Sequence, residues 1–175
     1  GNVEESAPAV LQEFFAGNEV EMDKCFTLIP RRHFIYRRLR LPSLQPEEIR
    51  RMIGLQIHTL VPYGREDVIF DWVPIAENEG SMDLLAVIVP REVVRRLTDI
   101  FHRAHLRPSR FAPSSFGLLN WYLTQQNKQA VDEQSATMLI DADYGGAEIV
   151  FYRREELLYS RYLPGDPGRV LPERE

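Results

Sequence analysis

A chain of 175 residues and 20.4 kDa, 44% hydrophobic and 27% charged, is long enough for one globular domain or two small lobes with a real core, which excludes fibrous, collagenous and mainly disordered classes. A formal charge of −5 and a pI near 5.5 argue against a chain held to nucleic acid by its overall field. The single cysteine, Cys25, allows no internal disulfide and no CxxC metal site, and no apolar run approaches the ~20 residues that span a bilayer.

In chain order, residues 6–16 (SAPAVLQEFFA) place Ala7, Val10, Leu11, Phe14 and Phe15 on one helical face, with Ser6 as N-cap and Gly17 as stop. CFTLI (25–29) and HFIYRRLRL (33–41) read as strands, with Cys25 a small buried hydrophobe in the first. In the second, Ile35, Leu39 and Leu41 alternate with Tyr36, Arg38 and Arg40, which gives it one wet face. QPEEIRRMIGLQIHTL predicts a helix: Pro46 suits its first position, Glu47 and Glu48 suit its positive end, and Ile49, Met52, Ile53, Ile57 and Leu60 repeat at helical spacing.

DVIFDWVPI (67–75) alternates, whereas MDLLAVIV (82–89) is almost continuously apolar and predicts the more buried strand, with a turn at Asn78 to Gly80. REVVRRLTDIFHRAHL puts Val93, Val94, Leu97, Ile100, Phe101 and Ala104 on one stripe and His102, Arg103 and His105 at the carbonyl end of a helix. RPSRFAPSS reads as a loop, 116–124 (FGLLNWYLT) as a short helix, and 125–135 as an exposed connection. TMLIDADY, GAEIVFYR and ELLYSRYL then form an antiparallel meander turning at Gly145-Gly146 and Arg154-Glu155.

The expected fold class is therefore α+β: an α+β lobe over 6–124 holding a strand-helix-strand-strand module, a three-stranded meander over 136–165, and a tail at 166–175. A bare meander of that size is marginal. Its missing cover predicts a face packed on the first lobe or on another chain, or an excised piece of a longer protein, the last being the preferred reading.

Chemistry-bearing patterns are sparse. DAD at 141–143, at a strand end before Gly145-Gly146, reads first as a strand-turn signal with solvated aspartates, and second as a cation or phosphate site. His102 and His105 at i and i+3 lack an evident third zinc ligand and read as helix-end charge. No serine sits in a G-x-S-x-G elbow, and neither G-x-x-x-x-G-K-[ST] nor G-x-G-x-x-G occurs. The arginine pairs 31/32, 37/38, 50/51, 95/96 and 153/154 read as solvated or salt-bridged surface. No catalytic residue and no metal ligand set is assigned.

A succession of segments carries a family resemblance: FTLIP, RRLRLP, PEEIRRMIGLQIHTLVPY, VIFDWVPI, LLAVIVP, REVVRRLTDIFHRAHLRP and MLIDADYGGAEIVFYRREELLYSRYLPG. Together they resemble PilM, the actin-like (ribonuclease H-like) cytoplasmic component of type IV pilus assembly, and more distantly the cytoplasmic part of GspL from type II secretion and FtsA. The likeness covers most of 8–165. It implies that residues ~25–106 are the module inserted in the first actin-like lobe and ~136–165 the opening meander of the second.

The family's second phosphate loop, D-I-G-x-x-x-T, would start at Asp141. This chain has Asp143 in place of the glycine and Ala147 in place of the small hydroxyl residue, and a carboxylate aimed at a triphosphate repels it. The resemblance thus implies a degenerate nucleotide site at Asp141, Asp143, Gly145 and Gly146. It implies no cofactor in this stretch, with ATP and magnesium reserved for a full-length protein. It further implies a bacterial scaffold at the inner face of the inner membrane that docks an inner-membrane assembly protein with a short cytoplasmic tail, self-associates, and reaches the membrane through that partner, with no nucleic acid. Tyr36, Arg38 and Arg40 are the candidate partner contacts. The alternative is an actin-like ATPase whose site is completed by other segments; a third reading is an FtsA-like filament former.

Overall fold

In the computed structural model, which describes residues 3–18, 26–125, 135–143, 145–154 and 156–165, the chain runs through α1 (Val3–Ala16), β1 (Phe26–Ile29), β2 (Ile35–Leu41), α2 (Pro46–Leu60), β3 (Val68–Asn78) and β4 (Ser81–Pro90). It continues through α3 (Arg91–Arg103), β5 (Arg110–Pro113), α4 (Ser114–Gln125), β6 (Thr137–Asp143), β7 (Gly146–Arg153) and β8 (Glu156–Pro164). Cys25, the stretch 126–134 and the tail 166–175, all read from sequence above, lie outside the described residues. The chain divides into two compact units, Gly1–Thr27 with His33–Phe111, and Leu28–Arg32 with Ala112–Glu175.

The first unit is built on an antiparallel sheet of order β2-β4-β3. β4 takes the centre because MDLLAVIV is apolar at both parities: Leu84, Ala86 and Ile88 are fully buried on one face, and Leu85, Val87 and Val89 nearly so on the other. α2 lays Ile49, Ile53 and Ile57 against Leu41, Val68, Met82, Leu84 and Ile88, an apolar core without a charged member. Its start is held by Ser43, whose hydroxyl accepts from the Gln45 amide at 3.0 Å and donates to Glu48 at 2.6 Å. At its other end Arg37 Nε donates to the Leu60 carbonyl at 3.0 Å, where positive charge complements the helix dipole. Gly80, at φ +69, makes the β3-β4 turn, and β3 slips register between Pro74 and Ala76.

Two helical expectations change in this unit. Ser6 is not a cap: α1 begins at Val3 and runs through Pro8, which is buried, so burying the ring offsets the hydrogen bond that proline cannot donate. α3 carries the predicted stripe, but its apolar side chains are half-buried rather than core, and Ala104 just beyond it is 2% exposed.

The second unit is the meander β6-β7-β8 with α4 and residues 28–32. β6 and β7 pair from Thr137↔Tyr152 to Asp143↔Gly146, and β7 and β8 from Gly146↔Pro164 to Arg153↔Glu156. α4 starts at Ser114 rather than at 116, and RFAP before it is strand β5, paired with β1, rather than loop. The sequence reading gives α4 to the first lobe and leaves the meander bare, whereas α4 covers one face of it through Ser115 and Leu119, against the row Glu148, Val150 and Tyr152. On the opposite face Met138, Ile140 and Tyr159 are each at least half exposed.

Candidate functional site

Strand periodicity decides which meander side chains meet. Asp141, Glu148 and Tyr162 stand opposite one another on β6, β7 and β8, so they form one row on the face that α4 covers. Asp141, at the β6 end of this row, is exposed, while Glu148 is 5% exposed. The Glu148 carboxylate accepts from Ser114 Oγ and Ser115 Oγ, each at 2.5 Å, one hydroxyl to each oxygen. Both serines belong to the first turn of α4, where a carboxylate is favoured by the helix dipole. Ser115 Oγ lies 3.1 Å from Ser160 Oγ, which accepts from Arg31 Nε at 2.7 Å, and Tyr152 donates its hydroxyl to the Ser115 carbonyl. Every buried side-chain polar atom among the described residues has a partner, as a polar core requires.

Gly145 and Gly146 serve the closure of the meander. The Gly145 carbonyl accepts from the Gly165 amide at 2.8 Å and from the Tyr162 hydroxyl at 2.5 Å. Gly146, at φ +150, is approached by the Leu163 carbonyl and the Gly165 amide so closely that a Cβ would collide with both. Asp143 ends β6 in register with Gly146.

Tyr36, Arg38 and Arg40 lie elsewhere, on β2 in the first unit, in register with Val87, Leu85 and Asp83. They share the sheet face that α2 does not cover, with Arg38 and Arg40 exposed and Tyr36 half-buried, its ring 6.3 Å from that of Phe34. Arg40 holds Asp83 through two hydrogen bonds of 2.6 and 2.7 Å, and Asn78 donates to the same carboxylate at 3.0 Å. Arg40 keeps the Asp83 carboxyl below the usual carboxylate range, and the arginine's own pKa is raised in return.

Among the described residues no three His, Cys, Asp or Glu side chains gather to hold a metal, and no helix is long and apolar enough to cross a membrane. His102 sits in the last turn of α3, and His105 just beyond adopts φ 59. An open groove along α3 is lined by Arg96, Asp99, Ile100, His102 and Arg103, none of them nominated for a site above except as helix-end charge.

Glu148, Ser114, Ser115, Ser160 and Arg31 were not legible as a group. The signal for one of them is present in GAEIVFYR, where alternation puts Glu148 on the same buried row as Val150 and Tyr152.

No family model matches the chain, and no curated protein matches it. Solved structures do. A chain of the PilM-PilN type IV pilus biogenesis complex superimposes at a TM-score of 0.75 with 15% identity, over 93% of this chain and 48% of that one. The cytoplasmic domain of EpsL, an inner membrane component of the type II secretion system of Vibrio cholerae, gives 0.57 with 12% identity, over 90% of this chain and 56% of that one. The chain thus spans about half the length of the solved chains it matches. Its α+β fold is the one found in the matched parts of these pilus and secretion components, the two lineages that the succession of sequence segments resembles.

Proposed function

We propose that this chain is part of a cytoplasmic, actin-like scaffold of a type IV pilus or type II secretion assembly platform, and that it docks an inner-membrane partner rather than turning over nucleotide. The observation that carries the reading is the fold likeness over 93% of the chain to a component of a pilus biogenesis complex. The chemistry of the meander supports the non-catalytic side of it. Asp143 stands at the position where the resembling phosphate loop has glycine, and the approach to Gly146 is taken up by the chain's own Leu163 and Gly165. The row of Tyr36, Arg38 and Arg40, on the sheet face opposite α2, is the proposed contact for a partner's cytoplasmic tail.

The test is calorimetric titration of the full-length protein with synthetic peptides of the cytoplasmic tails of inner-membrane proteins encoded beside it. Binding that weakens at least about tenfold in Arg38→Glu, a cost of ~1.4 kcal/mol, supports the reading. Absence of binding to every tail removes it. The ATPase alternative is tested in parallel with ATP and magnesium, where micromolar binding lost in Asp141→Ala would replace the scaffold reading.

A further inference from the structure

Two consecutive arginines grip alternate residues of one strand. Arg31 donates from Nε to Ser160 Oγ at 2.7 Å and from Nη2 to the Ser160 carbonyl at 3.2 Å. The Arg32 guanidinium lies 5.4 Å from the ring centroid of Tyr162. Ser160 and Tyr162 are two apart on β8 and project from one face, so residues 31 and 32 lie along the strand. Both contacts lead on to a further partner. Tyr162 donates its hydroxyl to the Gly145 carbonyl, closing the β6-β7 turn against the end of β8.

The Ser160 contact continues as a chain of fixed polarity. A serine hydroxyl has one proton. Ser115 gives its proton to Glu148 Oε1, so in the 3.1 Å Ser115-Ser160 pair the proton comes from Ser160, which in turn accepts from Arg31. The order runs one way, from guanidinium through two hydroxyls to carboxylate, and such aligned bonds polarise one another.

We propose that residues 30–32 are a strap that latches the β6-β7 turn: Arg31 anchors it through the Ser160-Ser115-Glu148 relay, and Arg32 clamps Tyr162 over Gly145. The latch holds the turn carrying Asp143, Gly145 and Gly146 in one shape from positions more than 100 residues away in sequence. It rests on the second unit alone, so its failure leaves the docking reading untouched.

Amide hydrogen exchange of the intact chain, read separately for 143–148 and for the β7 core at 149–152, tests it. Arg32→Gln and Tyr162→Phe are each expected to speed exchange at the turn about threefold, the measure of one exposed cation-π contact or one hydrogen bond. Ser160→Ala, which cuts the relay and keeps both charges, is expected to speed it about tenfold with the β7 core still protected. Arg161→Gln, a change to the neighbouring exposed residue, is the control and should leave both segments as they are. Unchanged exchange at the turn in Arg32→Gln and Ser160→Ala overturns the proposal. So does a parallel rise at the turn and in the β7 core, because that would mean general loosening rather than a latch.

Discussion

The two units bury their central strands by opposite means. Under β4, the core between the sheet and α2 is apolar, with Leu84, Ala86 and Ile88 clustered with Ile49, Ile53 and Ile57. Under β7, the row facing α4 holds Glu148, Val150 and Tyr152, and helix and sheet are joined by hydroxyls, a carboxylate and a carbonyl. Dispersion and water exclusion are non-directional and tolerate small shifts, whereas a hydrogen-bond network demands that every member stay in place. The first arrangement keeps its shape through small shifts of its side chains, and the second fixes a segment's geometry by pairwise fit.

The contrast is broken most forcefully in the first core. Ile53 is fully buried on α2, and Ile53→Ala is expected to cost about 2–5 kcal/mol, the range for large-to-small changes in packed cores. Chemical denaturation followed by exchange at β4 amides measures it. Ile53→Val should cost no more than about 1.5 kcal/mol; a comparable loss in both variants would mean that α2 is not seated as described.

The matching change in the second unit is Glu148→Ala, which leaves the buried Ser115 hydroxyl and the half-buried Ser114 hydroxyl without their acceptor and is expected to destabilise by about 1–3 kcal/mol. Glu148→Gln retains an acceptor oxygen and should recover part of that. If Glu148→Ala proved as mild as a surface change, the polar description of this core would be wrong. Gly146→Ala belongs at a similar or slightly lower level, about 1–3 kcal/mol, because φ +150 and the nearby Leu163 carbonyl both exclude a side chain. Its reading is loss of protection at the β6-β7 turn before loss at β7.

The same contrast explains what the sequence made legible. α2 is readable to both ends, Pro46 and Leu60, because a proline at its first position, acids in the first turn and branched aliphatics at helical spacing all agree. β4 is readable as the buried strand because its apolar run has no alternation. These are hydrophobic signals, local and periodic. The second unit hides its organisation because its contacts join residues far apart by chemistry that local pattern treats as loop: Ser114 and Ser115 look like a linker until Glu148, 34 and 33 residues on, accepts their hydrogen bonds. β5 was missed for the same reason, since RFAP pairs with distant β1. The site residues nominated from resemblance, Asp141, Asp143, Gly145 and Gly146, do cluster at one turn, while Tyr36, Arg38 and Arg40 cluster on another sheet. Pattern reached the strands on which these residues lie, but not the hydrogen-bond chain Arg31-Ser160-Ser115-Glu148, whose members are far apart in sequence.

The smallest effect sharpens the comparison from the electrostatic side. In the first unit the charges sit outside the core, as in the Arg40-Asp83 pair, whose carboxyl is held below its usual range chiefly by the hydrogen bond from Arg40. A carboxyl depressed in the folded state adds stability at pH values above its unfolded pKa, ~3.9 for an aspartate, and that stability is lost as pH falls through the lower folded value. Asp83→Asn should therefore leave the unfolding midpoint at pH 7 slightly reduced and make it less sensitive to acid below pH ~4. NMR titration of the Asp83 carboxyl carbon checks the premise directly, since a midpoint at or above ~3.9 would contradict it. Half-molar salt should shrink the difference between wild type and variant, because an exposed pair is screened, whereas the loss in Ile53→Ala, made of buried hydrocarbon, should not shrink with it.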